Sequence, residues 1–117
     1  MSTQEGRAVA AAFRDGVSCW RARTTTDGQV VLLFGNRIAW RDDKGMVWLT
    51  LCGWPGPTTR DRLNAITVAL GVDEGFSKQK DVSFFGGRKI GDWEHIPMCG
   101  PLGALALAVE RGEKIHA

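Results

Sequence analysis

The segment 17–52, VSCWRARTTTDGQVVLLFGNRIAWRDDKGMVWLTLC, decides the fold, because it contains four strand-like runs separated by short turn signals. Asp27-Gly28 and Gly35-Asn36 are typical of two-residue hairpin turns, since these residue types adopt positive φ at little cost. A third turn is predicted over residues 42–45. The segment therefore predicts a four-stranded antiparallel meander with strands at 17–26, 29–34, 37–41 and 46–52.

The rest of the chain predicts helices and a second hairpin. A helix is expected within 1–16, and another over 58–70, with a threonine hydroxyl as its cap and Asp61 near its positive end. A hairpin over 80–90 and an apolar helix over 101–111 follow. The predicted class is α+β: the meander plus the hairpin, with a helix packed on one sheet face and short terminal helices, in a single domain spanning 1–117.

Composition favours an ordinary globular protein of the cytoplasm. Hydrophobic residues make up 44% of the chain and charged residues 24%, with a net charge of only +2. Bulk charge therefore does not predict a polyanion-binding protein. The three cysteines form no close pairs, and neither a signal peptide nor a membrane-spanning run is apparent, which predicts free thiols in a reducing compartment and no membrane partner.

The predicted turns fix which side chains share a sheet face. Across Gly35-Asn36 the prediction pairs Leu33 with Ile38, and across the 42–45 turn it pairs Trp40 with Val47. The face expected to form the core then carries Trp20, Ala22, Val31, Leu33, Ile38, Trp40, Val47, Leu49 and Leu51.

The same register predicts an opposite face on which arginines and aromatic residues interleave. Its three rows are Arg23, Leu32, Ala39 and Trp48; Arg21, Phe34, Arg37 and Thr50; and Thr25, Val30, Arg41 and Met46. A terminal helix that covers this face, with the arginine stems reaching water, is one interpretation. A second is a protein partner, because Trp and Arg are enriched at interface hot spots. A third is single-stranded nucleic acid, bound by base stacking and phosphate contacts.

Catalytic and metal chemistry find little support in the residue pattern. Only His95 and His116 are available as imidazole bases, and His95 with Cys99 supplies only half of a zinc site. Asp42-Asp43 and Asp92 with Glu94 fall in predicted turns, where acids are common. The sequence therefore predicts a protein that is not an enzyme, with no catalytic residues, metal or cofactor.

Basic residues outside the meander and one tryptophan have two interpretations each. The basic residues are candidates for phosphate contacts, or else they form solvated surface: Arg60, Arg62, Lys78, Lys80, Arg88 and Lys89. Trp54, in a loop stiffened by Pro55 and Pro57, is either a lid over the following helix or a binding anchor.

Three short motifs resemble a signature of small phage and prophage proteins. They are GNRIA at 35–39, GW at 53–54 and TTRDRLN at 58–64, and the similarity continues to about residue 95 through residues 76–80 and the 86–89 hairpin. The resemblance implies an accessory protein of a mobile element that acts inside a bacterial host. It implies no particular chemistry.

These observations predict a non-enzymatic phage or prophage protein that binds and occludes a host protein or ribonucleoprotein complex. A counter-defence inhibitor of a CRISPR effector would be one such protein. The predicted contact residues are Arg21, Arg23, Phe34, Arg37, Arg41, Trp48 and Trp54. The alternative is a nucleic-acid-binding module that uses the same face, and a homodimer formed through that face is also open.

Overall fold

The computed structural model describes residues 3–98, which form two α-helices and two antiparallel sheets. The elements in chain order are α1 (Gln4–Asp15), β1 (Cys19–Arg21), β2 (Thr24–Thr26), β3 (Val30–Leu33), β4 (Asn36–Arg41), β5 (Val47–Leu49), α2 (Pro57–Ala69), β6 (Phe76–Gln79), β7 (Val82–Phe85), β8 (Arg88–Ile90) and β9 (Ile96–Pro97). The larger sheet has the order β1-β2-β3-β4-β5-β9, and the smaller one β6-β7-β8. The predicted α+β class is confirmed, whereas the helix predicted over 101–111 lies outside the described residues.

The sheets contain more strands than predicted because the chain reverses where the sequence shows no glycine. The predicted strand 17–26 is a hairpin of β1 and β2, which turns at Ala22 with a φ of 53°. Trp20 Nε1 donates a hydrogen bond to the Ala22 carbonyl at 2.9 Å and so stabilises this turn. β6 likewise adds a third strand to the predicted second hairpin, whose turn at Gly86-Gly87 is confirmed.

The turn of the central hairpin lies one residue earlier than predicted. The turn consists of Phe34 and Gly35, with φ values of 51° and 80°, so that Leu33 pairs with Asn36. A bulge then leaves Ile38 as the extra residue of β4.

The next ladder is shifted in the same way, since Trp40 pairs with Trp48 instead of Val47. A one-residue shift moves side chains to the other face of a sheet. Trp40 and Trp20 were predicted to lie in the core, but neither is buried, and Trp20 is 73% exposed.

Both helices pack against the same face of the larger sheet. From α2, Arg62 Nε donates a hydrogen bond to Thr24 Oγ1 on β2 at 2.8 Å. From α1, the fully buried Phe13 lies under the guanidinium of Arg41 on β4. The core between these layers consists of tightly packed apolar residues, among them Val9, Phe13, Val31, Ile38, Leu49, Leu51, Leu63 and Ile66.

A polar network joins the start of α1 to α2. Thr3 caps α1 by accepting a hydrogen bond from Gly6 N, and it donates from both N and Oγ1 to the Asp61 carboxylate at 2.8 Å. Burial acts to raise the pKa of Asp61, but the hydrogen bonds from Thr3 and Arg62 outweigh it, and the pKa is lowered. Asp61 therefore ties two helices together rather than serving the dipole of α2.

Candidate functional site

The face of the larger sheet away from the helices, here called the outer face, follows from the observed pairing. Its two rows are Trp20, Thr25, Leu32 and Arg37, and Val30, Trp40, Trp48 and Pro97. The Arg37 guanidinium lies 4.2 Å from the ring centroid of Trp40, and His95 meets the same ring edge-on at 4.8 Å. Arg37 and His95 thus both contact the ring of Trp40.

The predicted arginines do not share one face. Of the four predicted arginines, only Arg37 lies on the outer face with Trp48. Trp48 Nε1 donates a hydrogen bond to Asp42 at 3.0 Å. Arg21 pairs with Thr24 on the helix side of the sheet, and Arg23 lies in the turn before β2.

Arg41 has an internal role. Its guanidinium stacks on Phe13 at 4.2 Å and donates hydrogen bonds to the carbonyls of Gly28 and Arg14. Burial lowers the pKa of Arg41, as expected for a cation removed from water. Arg41 therefore joins α1 to the sheet from the helix side, on the opposite face from Trp48.

A groove at one end of the larger sheet brings together two other predicted contact residues, Phe34 and Trp54. Its volume is about 470 Å³, within the usual range for ligand pockets. Phe34 is 62% exposed and Trp54 is 66% exposed, although both rings are large and apolar. The lining residues are Leu33, Phe34, Asn36, Ile38, Leu51, Trp54, Pro55, Gly56, Pro57, Thr58, Thr59 and Lys78.

The β3–β4 turn presents Phe34 to this groove. Positive φ at both Phe34 and Gly35 is the type I′ pattern, which suits the twist of a two-residue hairpin. A bulky residue in the left-handed region is strained, by about 1–3 kcal/mol. The Phe34 N–H donates to the Arg23 carbonyl at 2.9 Å and holds the turn against the neighbouring hairpin.

A second turn presents Trp54. Trp54 N donates to the Leu51 carbonyl at 2.9 Å, and the two residues between them, Cys52 and Gly53, have φ values of 54° and 77°. The ring of Trp93 packs so closely on Gly53 that a Cβ at this position would collide with it. This loop is therefore held in place before any ligand binds.

Helix α2 begins in the groove. Its N-cap is Gly56, which has no side chain to offer, and Pro57 occupies its first turn. The predicted threonine cap is therefore wrong. Arg60 Nη1 donates to the Pro55 carbonyl at 2.9 Å and ties the helix to the Trp54 loop.

The six candidate phosphate contacts do not form one patch. Arg60 and Arg62 hydrogen-bond to other groups within the fold, and Arg88 pairs with Glu94 at 2.8 Å. Lys78 lines the groove, whereas Lys89 pairs with Phe84 on the other side of the smaller sheet. Lys80 lies in the turn between β6 and β7.

The part of the chain that the structure describes shows neither a metal centre nor a membrane span. Between residues 3 and 98, no group of three or more His, Cys, Asp or Glu side chains is placed to hold a metal ion. Over the same residues, no helix has the length and apolar character needed to cross a membrane. Cys99, half of the zinc pair considered above, lies outside this range.

The fold and the groove define a small α+β protein with an apolar groove at one end of its larger sheet. The family model for the Kyanoviridae Gp96 protein matches residues 5–97, and the chain belongs to this family of phage proteins. The matched range covers α1 from its second residue, both sheets and α2, and therefore the entire groove. No curated protein and no solved structure matches the chain.

Proposed function

We propose that this phage protein is a non-enzymatic binding protein that occludes a host macromolecule through the groove. The observation that carries the proposal is the pair of exposed aromatic rings, Phe34 and Trp54, at an apolar groove of about 470 Å³. Large aromatic residues are the commonest anchors of protein interfaces. Their backbone is held by tight turns, so little ordering is needed on binding.

A protein ligand suits this groove better than nucleic acid does. A single-stranded nucleic acid needs a continuous cationic track beside its stacking rings. Among the described residues that line the groove, only Lys78 is charged. The predicted face with four arginines, which supported the nucleic-acid alternative, is divided between the two sides of the sheet and its turns.

The residues that line the groove also favour a role without catalysis. Acid–base or nucleophilic catalysis requires a titratable group beside a second one that orients it. The described lining offers apolar side chains, an asparagine, two threonines and one lysine. These groups suit recognition.

The proposal can be tested by affinity capture from host lysate followed by reconstitution with the purified target. Trp54→Ala and Phe34→Ala should each remove the captured target, whereas Trp20→Ala, on the outer face, should retain it. Trp20 is a control of the same residue type, because it is an exposed tryptophan that does not line the groove. Loss with Trp20→Ala and retention with both groove variants would assign binding to the outer face and overturn the proposal.

The narrower hypothesis concerns host defence. A counter-defence inhibitor would restore phage plating on a host that carries an active defence system, such as a CRISPR effector. The wild-type protein and the Trp20→Ala variant should restore plating, and the Trp54→Ala variant should not. Equal plating with and without the wild-type protein, across the host's defence systems, would contradict the counter-defence role.

A further inference from the structure

The lining of the groove has an apolar part and a polar part. The apolar part consists of Leu33, Phe34, Ile38, Leu51, Trp54, Pro55 and Pro57, and the polar part of Asn36, Thr58, Thr59 and Lys78. Lys78 comes from β6, in the smaller sheet, whereas the other polar residues come from β4 and α2. The groove therefore offers an apolar slot with one cation beside it.

The positive charge of Lys78 has no counter-charge among the described lining residues. None of them is an acid. Several acids elsewhere are engaged: Asp61 with Thr3 and Arg62, and Glu94 with Arg88. The first turn of α2 also contains no acid, so the partial positive charge of that helix end adds to the positive charge of Lys78.

We infer that the ligand of this groove is an extended peptide segment with a large apolar side chain next to an acidic one. The inference rests on the proposed function and specifies its partner. The apolar side chain lies between Phe34 and Trp54, and the carboxylate faces Lys78. Phosphates along a nucleic acid repeat at every nucleotide and need several cations, whereas a single carboxylate needs one.

A peptide library, followed by charge reversal at Lys78, tests the inference. The full chain is screened against a displayed library of random peptides, and selected peptides are titrated by fluorescence polarisation. The wild-type protein should enrich peptides that carry Asp or Glu beside an aromatic or aliphatic residue. Replacing that acid by lysine should weaken binding at least about tenfold, because it places two like charges next to each other across the interface.

The Lys78→Glu variant should lose the acidic peptides and prefer their lysine counterparts. Lys89→Glu is the matched control, because it makes the same charge change in the same sheet but on its other side. Lys78 lies on the side of Ser83 and Ile90, whereas Lys89 lies on the side away from them. This control should bind the acidic peptides as the wild-type protein does. An unchanged charge preference in Lys78→Glu would overturn the inference.

Two further outcomes would also overturn it. One is a library that yields no acidic consensus; the other is an oligothymidylate that displaces the selected peptides with a steep salt dependence. Failure of the inference remains distinguishable from failure of the proposed function. If host capture still depends on Phe34 or Trp54 while the library shows no acidic preference, only the inference fails. If capture is independent of both residues, the inference and the proposed function both fail.

Discussion

Phe34 and Trp54 line one groove from two turns of the same kind, each of which passes through two consecutive residues with positive φ. The first pair is Phe34-Gly35, at 51° and 80°, and the second is Cys52-Gly53, at 54° and 77°. In the first turn the aromatic residue itself occupies the left-handed region, whereas in the second it follows the turn. Stability and binding therefore impose different demands on the two positions.

Phe34→Asn should stabilise the protein and weaken its binding. Asparagine tolerates the left-handed region better than phenylalanine, so the free energy of unfolding should rise by about 1 kcal/mol. Loss of the ring should reduce affinity for the target at least about tenfold, the effect expected for an interface hot spot. Urea denaturation and calorimetric titration measure the two effects.

Ala22→Asn is the control for this opposition. Ala22 also has positive φ, at 53°, but it lies in the β1–β2 turn and not in the groove lining. This variant should gain stability without losing affinity. If Phe34→Asn instead lost stability and affinity together, strain at Phe34 would not be part of the site.

Gly53→Ala should destabilise the Trp54 loop. The new methyl group would collide with the Trp93 ring and would also strain a residue with φ at 77°. A loss of about 1–3 kcal/mol in the free energy of unfolding is expected. Adding Trp93→Ala removes the collision but not the backbone strain, so the double variant should recover part of the loss. Simple additivity of the two substitutions would show that the ring does not restrict this position.

Asp61→Asn should change how the free energy of unfolding depends on pH. The folded-state pKa of Asp61 is lowered, so its carboxylate stabilises the fold above the unfolded-state pKa, about 3.9, and this contribution is lost as pH falls through the folded-state pKa. The variant should be less stable at neutral pH by roughly 1.5–3 kcal/mol, as for hydrogen bonds to a charged group. The difference in the free energy of unfolding between the variant and the wild type should shrink as the pH falls through the folded-state pKa of Asp61.

Urea denaturation from neutral to acidic pH measures this effect, and Asp73→Asn, an exposed acid, serves as the control. The control should follow the wild-type curve. A constant difference between Asp61→Asn and wild type at every pH would mean that the charge of Asp61 does not contribute to the α1–α2 network.

Arg41→Met should reduce stability rather than binding. The guanidinium stacks on Phe13 and donates to two backbone carbonyls, so its loss should cost roughly 1–3 kcal/mol. Arg41→Lys should recover little, because an ammonium lacks the planar fork that reaches both carbonyls. Affinity, measured under conditions where both variants are folded, should equal that of the wild type. A selective loss of affinity would restore Arg41 to the contact surface.

The element types were largely predictable, whereas the register was not. The end of α1 at its cap Gly16 and the turn at Gly86-Gly87 could both be predicted, because glycine is typical of these two positions. The β3–β4 turn was predicted one residue too late, since Gly35-Asn36 is a better turn sequence than Phe34-Gly35. Leu33 and Ile38 are buried, as the predicted register also required, and the bulge at Ile38 keeps both on the core side of the observed ladder.

Sequence alone determined that this chain forms an α+β fold with tight antiparallel hairpins. It named Phe34, on the predicted arginine-aromatic face, and Trp54, in a proline-stiffened loop, as contact residues. Tertiary structure decided that these two residues share a groove, that Arg41 lies beneath α1, and that Trp20 and Trp40 are outside the core. The reason is physical. Turn and helix preferences act over a few neighbouring residues, whereas the pairing of strands and the docking of α1, α2 and the smaller sheet depend on contacts between residues far apart in the chain.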